Sequence, residues 1–328
     1  MAFTDRIRAR PLCMAARLCM YATATCALAC APSHVENTSR AVAVPFVVVL
    51  GVAQDGSHPQ AGCTRKCCVR MVNGRRHHVA SLGLVDPPSS ARWLIDATPD
   101  LPSQLSTLDT YAPRSTPIVS GVFLTHGHIG HYAGLIHFGR EVMGTSIIPV
   151  YAMPRMQHFL EHNAPWELLV RLRNVEIHPM SDGLPVVLNE RLTVVPIVVP
   201  HRDEYTETVG FSIRGPKKRA LYIPDIDKWE KWSTSIESQI AVHDLAWIDG
   251  TFFAESDLPN RRMAEVPHPF MVESISRLGH LSTSERAKVR FIHLNHSNDA
   301  LDAESDASKL IRSKGFAVAS EGDIAPLE

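Results

Sequence analysis

The sequence carries almost no net charge. Its 33 Lys and Arg against 34 Asp and Glu leave −1 with histidine neutral, so no strong global field draws the chain to nucleic acid or to an anionic membrane. No nucleic-acid partner is expected. Long apolar runs are missing beyond the first 40 residues, and a membrane-spanning helix needs about 20 consecutive apolar residues. There is no Ser/Gly/Pro linker, no low-complexity block and no repeat. Residues 41–328 are therefore expected to form a single domain. With 45% hydrophobic and 20% charged residues, the composition is that of an ordinary globular chain and does not predict disorder.

The first 40 residues read differently. Arg6, Arg8, Arg10 and Arg17 form a basic stretch with one acid, Asp5, and an apolar run follows from Leu18 to Ala31 before Pro32. A basic region followed by a short apolar core is the pattern of a secretory signal. Ala27-Leu28-Ala29-Cys30 resembles a bacterial lipoprotein box, in which the cysteine is lipidated after cleavage. Residues 1–40 are thus expected to be an export or lipid-anchoring segment, giving a periplasmic or membrane-anchored protein.

Four of the seven cysteines, Cys13, Cys19, Cys26 and Cys30, lie in that segment. The others are Cys63, Cys67 and Cys68. Three cysteines within six positions do not suit a disulfide framework and suggest metal ligation instead.

Short β-branched apolar runs recur along the rest of the chain. They cover residues 44–52, 93–97, 121–125, 147–152, 192–199, 208–213, 219–223, 245–248, 289–294 and 316–319, each of strand length with turn residues nearby. Helical patterns cover residues 132–142, 153–163, 273–278 and 302–313. Strands mixed with helices predict an α/β class.

Seventeen histidines exceed ordinary usage, and their clustering carries the information. The buried-strand run Val122-Phe123-Leu124-Thr125 leads directly into His126-Gly127-His128-Ile129-Gly130-His131. A strand delivers the chain to a fixed point, and a tight loop turns three imidazoles inward. Glycines at 127 and 130 are expected to supply unusual backbone angles. Imidazole is the commonest neutral ligand for zinc and related metals. Further candidate ligands end or interrupt other apolar runs: His201 after Val195–Pro200, Asp225 after Leu221–Pro224, and His293 within Phe291–Leu294. Ligands at successive strand ends are what a metal site at one edge of a β-sandwich requires.

This order of ligands resembles the metallo-β-lactamase superfamily over about residues 44 to 325. The resemblance implies a four-layer αββα sandwich with one or two divalent metals at one edge. It implies that His126, His128 and His201 hold one metal, that His131 and His293 hold a second, and that Asp225 bridges them. One position departs from the pattern. The superfamily loop has an aspartate just before its last histidine, and here that residue is Gly130. Restoring aspartate at position 130 is therefore expected to strengthen the second metal position.

Further segments resemble the pyrroloquinoline quinone biosynthesis protein B family within that superfamily. They are Leu50–Gly56 running on to Cys63, Ile95-Asp96-Ala97-Thr98-Pro99-Asp100, and Phe291–Asn298. Asp249-Gly250-Thr251-Phe252, leading to Pro267-His268-Pro269-Phe270, is similar to relatives outside the quinone pathway. The resemblance also implies a structural zinc held by Cys63, Cys67, Cys68 and His296. Adjacent Cys67 and Cys68 are the weak point of that set, since neighbouring side chains often diverge.

The leading expectation is a hydrolase that acts on a small ester or phosphodiester through metal-activated water. A bound metal lowers the pKa of water from 15.7 to about 7. Zinc is the expected metal, with iron or manganese as alternatives. Asp225 would bridge or orient, and His268 would donate a proton to the leaving group. Asp227 and Asp249 are expected to orient ligands. Arg261 and Arg262 are candidates for binding an anionic substrate. The segments Arg155–Arg173 and Ser256–Val266 are expected to shape the pocket. Two alternatives remain open. A two-histidine, one-carboxylate set suits a non-haem iron oxygenase, which the quinone-pathway resemblance also suggests. A non-catalytic binding protein on the same fold is the other. The substrate and the oligomeric state are not readable from the sequence.

Overall fold

Every residue of strand β1, Phe46–Gly51, is buried, and a strand buried on both faces needs cover on both. The computed structural model supplies it, describing residues 43–69, 76–113, 116–258, 262 and 265–328. The segment 1–40, expected to direct export, lies outside the described residues.

The first sheet contains β1, β2 (Ser81–Asp86), β3 (Ala91–Ile95), β4 (Gly121–Phe123), β5 (Ile148–Ala152), β6 (Val175–Pro179) and β14 (Ile324–Pro326). Its order is β14-β1-β2-β3-β4-β5-β6. The second contains β7 (Val186–Val187), β8 (Thr193–Val198), β9 (Val209–Arg214), β10 (Arg219–Ile223), β11 (Leu245–Asp249), β12 (Val289–Ile292) and β13 (Ala317–Val318). Its order is β13-β12-β11-β10-β9-β8-β7.

Alternation along each strand builds three core layers. Val47 and Val49 of β1 turn toward the second sheet, where Phe123 and Trp93 meet Phe211, Tyr222 and Trp247. Val48 and Leu50 turn outward onto Leu101, Leu105 and Leu108 of the helix Leu101–Tyr111. In β10, Ala220 and Tyr222 face the first sheet. Leu221 and Ile223 face Ile236, Ile240, Met271 and Ile275 of the helices on the other side. The result is the αββα sandwich of the expected fold class.

Topology positions the site. Strands β3 to β6 are parallel, as are β10 to β13. Parallel neighbours present their carboxyl ends along one edge, where ligands collect in α/β sheets. Asp96, Thr125, Asp225 and His293 follow such ends within two residues, and Asp249 is the last residue of β11.

Residues 132–142, expected to be an α-helix, depart from it. A single turn, Ile129–Tyr132, gives way to a 3-10 segment, Ala133–Phe138. Gly134 N–H donates to Ala97 O at 2.9 Å, and Ala97 N–H donates to His131 O at 2.9 Å. Those bonds tie the chain to the end of β3 and take groups that an α-helix would pair within itself. The described residues contain no helix long and apolar enough to cross a membrane.

Candidate metal centre

His126 leaves β4 through Leu124 and Thr125. Thr125 is anchored by Asp96, which accepts from its backbone N–H at 2.8 Å and its hydroxyl at 2.9 Å. The Thr125 hydroxyl lies 3.0 Å from His126 Nδ1, which leaves Nε2 facing inward, 3.4 Å from Asp225 Oδ2. His128 Nδ1 is 2.8 Å from His126 Nε2, while its Nε2 meets Glu204 at 3.1 Å. His201 points Nε2 at Asp225 Oδ2, 3.3 Å away, and Nδ1 at Asp227 Oδ1, 3.5 Å away. One donor atom from each of His126, His128, His201 and Asp225 lies within 4.8 Å of the others.

The second cluster adjoins the first. His131 Nδ1 is held 2.7 Å from Asp96 Oδ2, and its Nε2 lies 3.3 Å from His293 Nε2. His293 Nδ1 is 3.1 Å from the Thr251 hydroxyl, and its Nε2 is 4.0 Å from Asp225 Oδ2. Asp55 completes the cluster, with Oδ1 3.6 Å from His131 Nε2. Asp96 and His293 hold φ values of 68° and 66°. Non-glycine residues rarely adopt that left-handed region, and holding one there costs about 1–3 kcal/mol. Here each turns a side chain inward just past a strand end.

Gly127 and Gly130 have ordinary negative-φ backbones, contrary to the reading that the loop needs their conformational freedom. The constraint is space. A Cβ on Gly127 would stand 2.8 Å from Thr206 Cγ2, and one on Gly130 would stand 2.7 Å from Asp55 Cα. Aspartate at 130 therefore collides with Asp55. That contact argues against the expectation that aspartate at 130 strengthens metal binding.

Electrostatics divide the imidazoles. Burial, helped by His131, keeps His126 well below the usual histidine pKa. Burial also lowers His128 and His293. Burial opposes charge on His131 too, yet Asp96 raises it to about 8. Against the same opposition, Asp225 raises His201 to about 9. Asp225 is buried, and the surrounding His201, His268 and His293 still hold its carboxyl well below the ordinary range. Asp55 Oδ1 is buried without a hydrogen-bond partner, and His201 Nε2 and Asp225 Oδ1 are buried with only the ion-pair contacts to Asp225 Oδ2 at 3.3 Å and His268 Nδ1 at 3.1 Å. An orphan like Asp55 Oδ1 costs about 1–3 kcal/mol, and ions seated among these donors would satisfy all of them together. The donor set fits divalent metals.

His268 lies beside this centre. Its Nδ1 is 2.9 Å from Asp249 Oδ2 and 3.1 Å from Asp225 Oδ1. Asp249 is fixed in turn by Thr251 N–H at 2.8 Å and Ile226 N–H at 3.1 Å. Burial disfavours the imidazolium, but Asp249 and Asp225 raise His268 to about 10.

The cysteine cluster lies apart. Cys67 Sγ and Cys68 Sγ are 3.6 and 3.4 Å from His296 Nδ1, and Cys63 joins them within the same radius. The adjacent pair converges, with Sγ atoms 3.9 Å apart on the short helix Lys66–Val69. All three thiols are free. Burial pushes Cys68 up to about 12, which opposes the thiolate, and a bound cation would favour it.

Some expected residues lie elsewhere. Arg261 is outside the described residues, and Arg262 is exposed and paired with Glu265. Sequence reasoning assigned no site role to Asp55, Asp96, Thr125, Glu204 or Thr251. Asp55 and Asp96 sit in segments already singled out, Leu50–Gly56 and Ile95–Asp100. For Asp96 a carboxylate directly after an apolar strand was the available signal, whereas Asp55 stands four residues past β1.

A histidine-rich loop and a lone aspartate at one edge of an αββα sandwich define the metallo-β-lactamase class. Residues 91–293 match the family model of the β-lactamase superfamily domain, and the chain belongs to that family. Its relatives include coenzyme PQQ synthesis protein B of Xanthomonas campestris pv. campestris (strain B100), 26% identical over 311 residues, covering 84% of this chain and 98% of that protein. The same-named protein of Methylobacterium nodulans is 28% identical over 303 residues, covering 84% and 97%. Among solved structures, Zn(2+)-bound PqqB from Methylobacterium extorquens aligns with a TM-score of 0.73 at 24% identity, covering 86% of this chain and all of that one. A diphosphatase from the PhnP family aligns at 0.58 and 19% identity, covering 86% and 96%.

Proposed function

We propose that this chain is a metal-dependent hydrolase of a small ester or phosphodiester-type substrate. The observation that carries the reading is His268, a buried imidazole held between Asp249 and Asp225 beside the metal donors. His126, His128 and His201 would hold one ion, His131 and His293 a second, and Asp225 would face both. When bound, the ions would supply Lewis acidity and a nucleophile at neutral pH.

The remaining chemistry belongs to the protein. Asp249, fixed by backbone donors, holds the Nδ1 proton of His268. The proton on Nε2 is then the one available to a leaving oxygen. Asp225 turns Oδ1 to His268 and Oδ2 to His126 and His201, so the proton donor keeps a fixed distance from the donor cluster. A diphosphatase on the same fold supports hydrolysis. We also propose that Cys63, Cys67, Cys68 and His296 hold a structural zinc, and that residues 1–40 direct export.

A second reading is favoured by Asp55, His131 and His293. Two histidines and one carboxylate suit non-haem iron, and the relatives act in quinone synthesis by name. One experiment separates the two. Protein loaded with zinc or manganese is assayed on bis-p-nitrophenyl phosphate and p-nitrophenyl acetate, and iron-loaded protein is assayed for oxygen uptake. The hydrolase reading expects turnover that falls about 10²–10⁴-fold in His268→Gln with metal content retained. Oxygen uptake with iron and no hydrolysis with any metal overturns it.

A further inference from the structure

The loop that delivers His131 has glycine where related loops have aspartate, and another carboxylate fills the space. Asp55 follows β1, far from the loop in sequence. A Cβ built on Gly130 would contact Asp55 Oδ1, stand 2.7 Å from Asp55 Cα and stand 3.0 Å from Cγ. Two of these three atoms belong to the carboxylate. Asp55 thus puts its acid in the volume that a side chain at 130 would occupy. Oδ1 is buried and has no hydrogen-bond partner, although it lies 3.6 Å from His131 Nε2. An acid placed there for structure alone would be expected to accept a hydrogen bond.

The backbone around Asp55 is pinned to the segment that carries His293. Leu294 N–H donates to Val52 O at 2.8 Å, and Gln54 N–H donates to Leu294 O at 2.8 Å. The Asn295 side-chain amide donates to Gln54 Oε1 at 2.6 Å. Asp55 and His293 therefore stand on segments joined by backbone hydrogen bonds. They belong to a single set with His131, one donor atom from each lying within 4.8 Å of the others.

We propose that Asp55 is the anionic ligand of the second metal position, replacing the loop carboxylate from a different strand end, and that residue 130 is glycine to admit it. The proposal rests on the metal-centre reading and adds a ligand to it. A donor on the β1 turn and a donor on the loop reach the same point from opposite sides. Only one fits, because the Cβ of the second would overlap the first. An acid at 55 therefore requires glycine at 130. An acid at 130 would meet the backbone of residue 55 as well as its side chain.

Metal counting tests this without any activity assay. Full-length protein is stripped with chelator and titrated with Zn²⁺, with bound ions counted by elemental analysis and folding checked by circular dichroism. Wild type should bind two ions beyond the one that a Cys63→Ala control loses. Asp55→Asn, which keeps shape and removes charge, should weaken the second of the two by more than about tenfold while the first is retained. Gly130→Ala and Gly130→Asp should each weaken the same ion through the clash. Unchanged second-ion affinity in Asp55→Asn overturns the proposal. Loss of the first ion in His128→Ala alongside an unchanged Asp55→Asn titration would leave the metal-centre reading standing and remove only this ligand. A wild type that binds no ion outside the cysteine cluster overturns both.

Discussion

At the scale of single residues, outer partners fix which nitrogen each histidine presents. Asp96 takes Nδ1 of His131, the Thr251 hydroxyl meets Nδ1 of His293, and Asp227 faces Nδ1 of His201, so Nε2 points inward in all three. His128 is reversed, because Glu204 meets Nε2 and leaves Nδ1 for the centre. Such partners tune ligand orientation and basicity, and their loss typically lowers metal affinity about 10–100-fold. Asp96 is the strongest case, since it is fully buried and serves both Thr125 and His131. Asp96→Asn is expected to lower zinc affinity at the second position by that factor while the fold persists. Zinc titration of chelated protein reads the outcome. An affinity equal to wild type would mean that His131 needs no carboxylate to hold its ring.

At the scale of elements, one polar tie joins the two sheets at the end away from the metal centre. Asp86 closes β2, and Arg191 and Asn189 lie in the turn between β7 and β8. Arg191 donates to both Asp86 oxygens, at 2.9 and 2.7 Å, and Asn189 donates at 2.7 Å. Burial works against the charge on Asp86, but Arg191 and the other donors hold its carboxyl below 3.8. A depressed carboxylate stabilises the fold above its unfolded-state pKa, and that contribution is lost as pH falls through the depressed folded value. Asp86→Asn is therefore expected to lower Tm by a few degrees at neutral pH. The gap from wild type should hold above about pH 3.8 and close on acidification below it. Thermal melts across that range decide, and a gap that stays constant into strong acid would remove Asp86 as the titrating group. The strand β2 itself, Ser-Leu-Gly-Leu-Val-Asp, was not read from pattern because serine, glycine and aspartate leave it no continuous apolar run like that of β1. The helix Leu101–Tyr111 escaped for another reason. Its Ser and Thr are weak helix formers, and only Leu101, Leu105 and Leu108 mark its buried face.

At the scale of the whole molecule, the donors come from both sheets. Asp55, His126 and His131 follow strands of the first, whereas His201, Asp225 and His293 follow strands of the second. Ions held among them would bridge the two halves of the sandwich, and binding to the native state alone stabilises it by mass action. At 100-fold excess over Kd that is about 2.7 kcal/mol. Chelator treatment is expected to lower Tm by about 5 °C or more, reversibly on zinc addition. Cys63→Ala should lose one ion and part of that stabilisation by itself. A chelated protein that melts with the native one would show that the sheets need no ion between them.

What the sequence by itself determined is local. Strand-length apolar runs marked nearly all the central strands, and the run before His126 placed three imidazoles at a strand end. The candidate donors at 201, 225 and 293 were read from the same rule, that polar donors collect where a buried strand stops. Tertiary structure decided what no window of sequence contains. It turned Cys67 and Cys68 toward one histidine, made Asp96 the partner of His131, and brought Asp55 into the space left by Gly130. Periodicity reports which face of a strand is buried. Proximity between distant strand ends depends on how strands pair and how their backbone hydrogen bonds register, and that is set only when the two sheets close on each other.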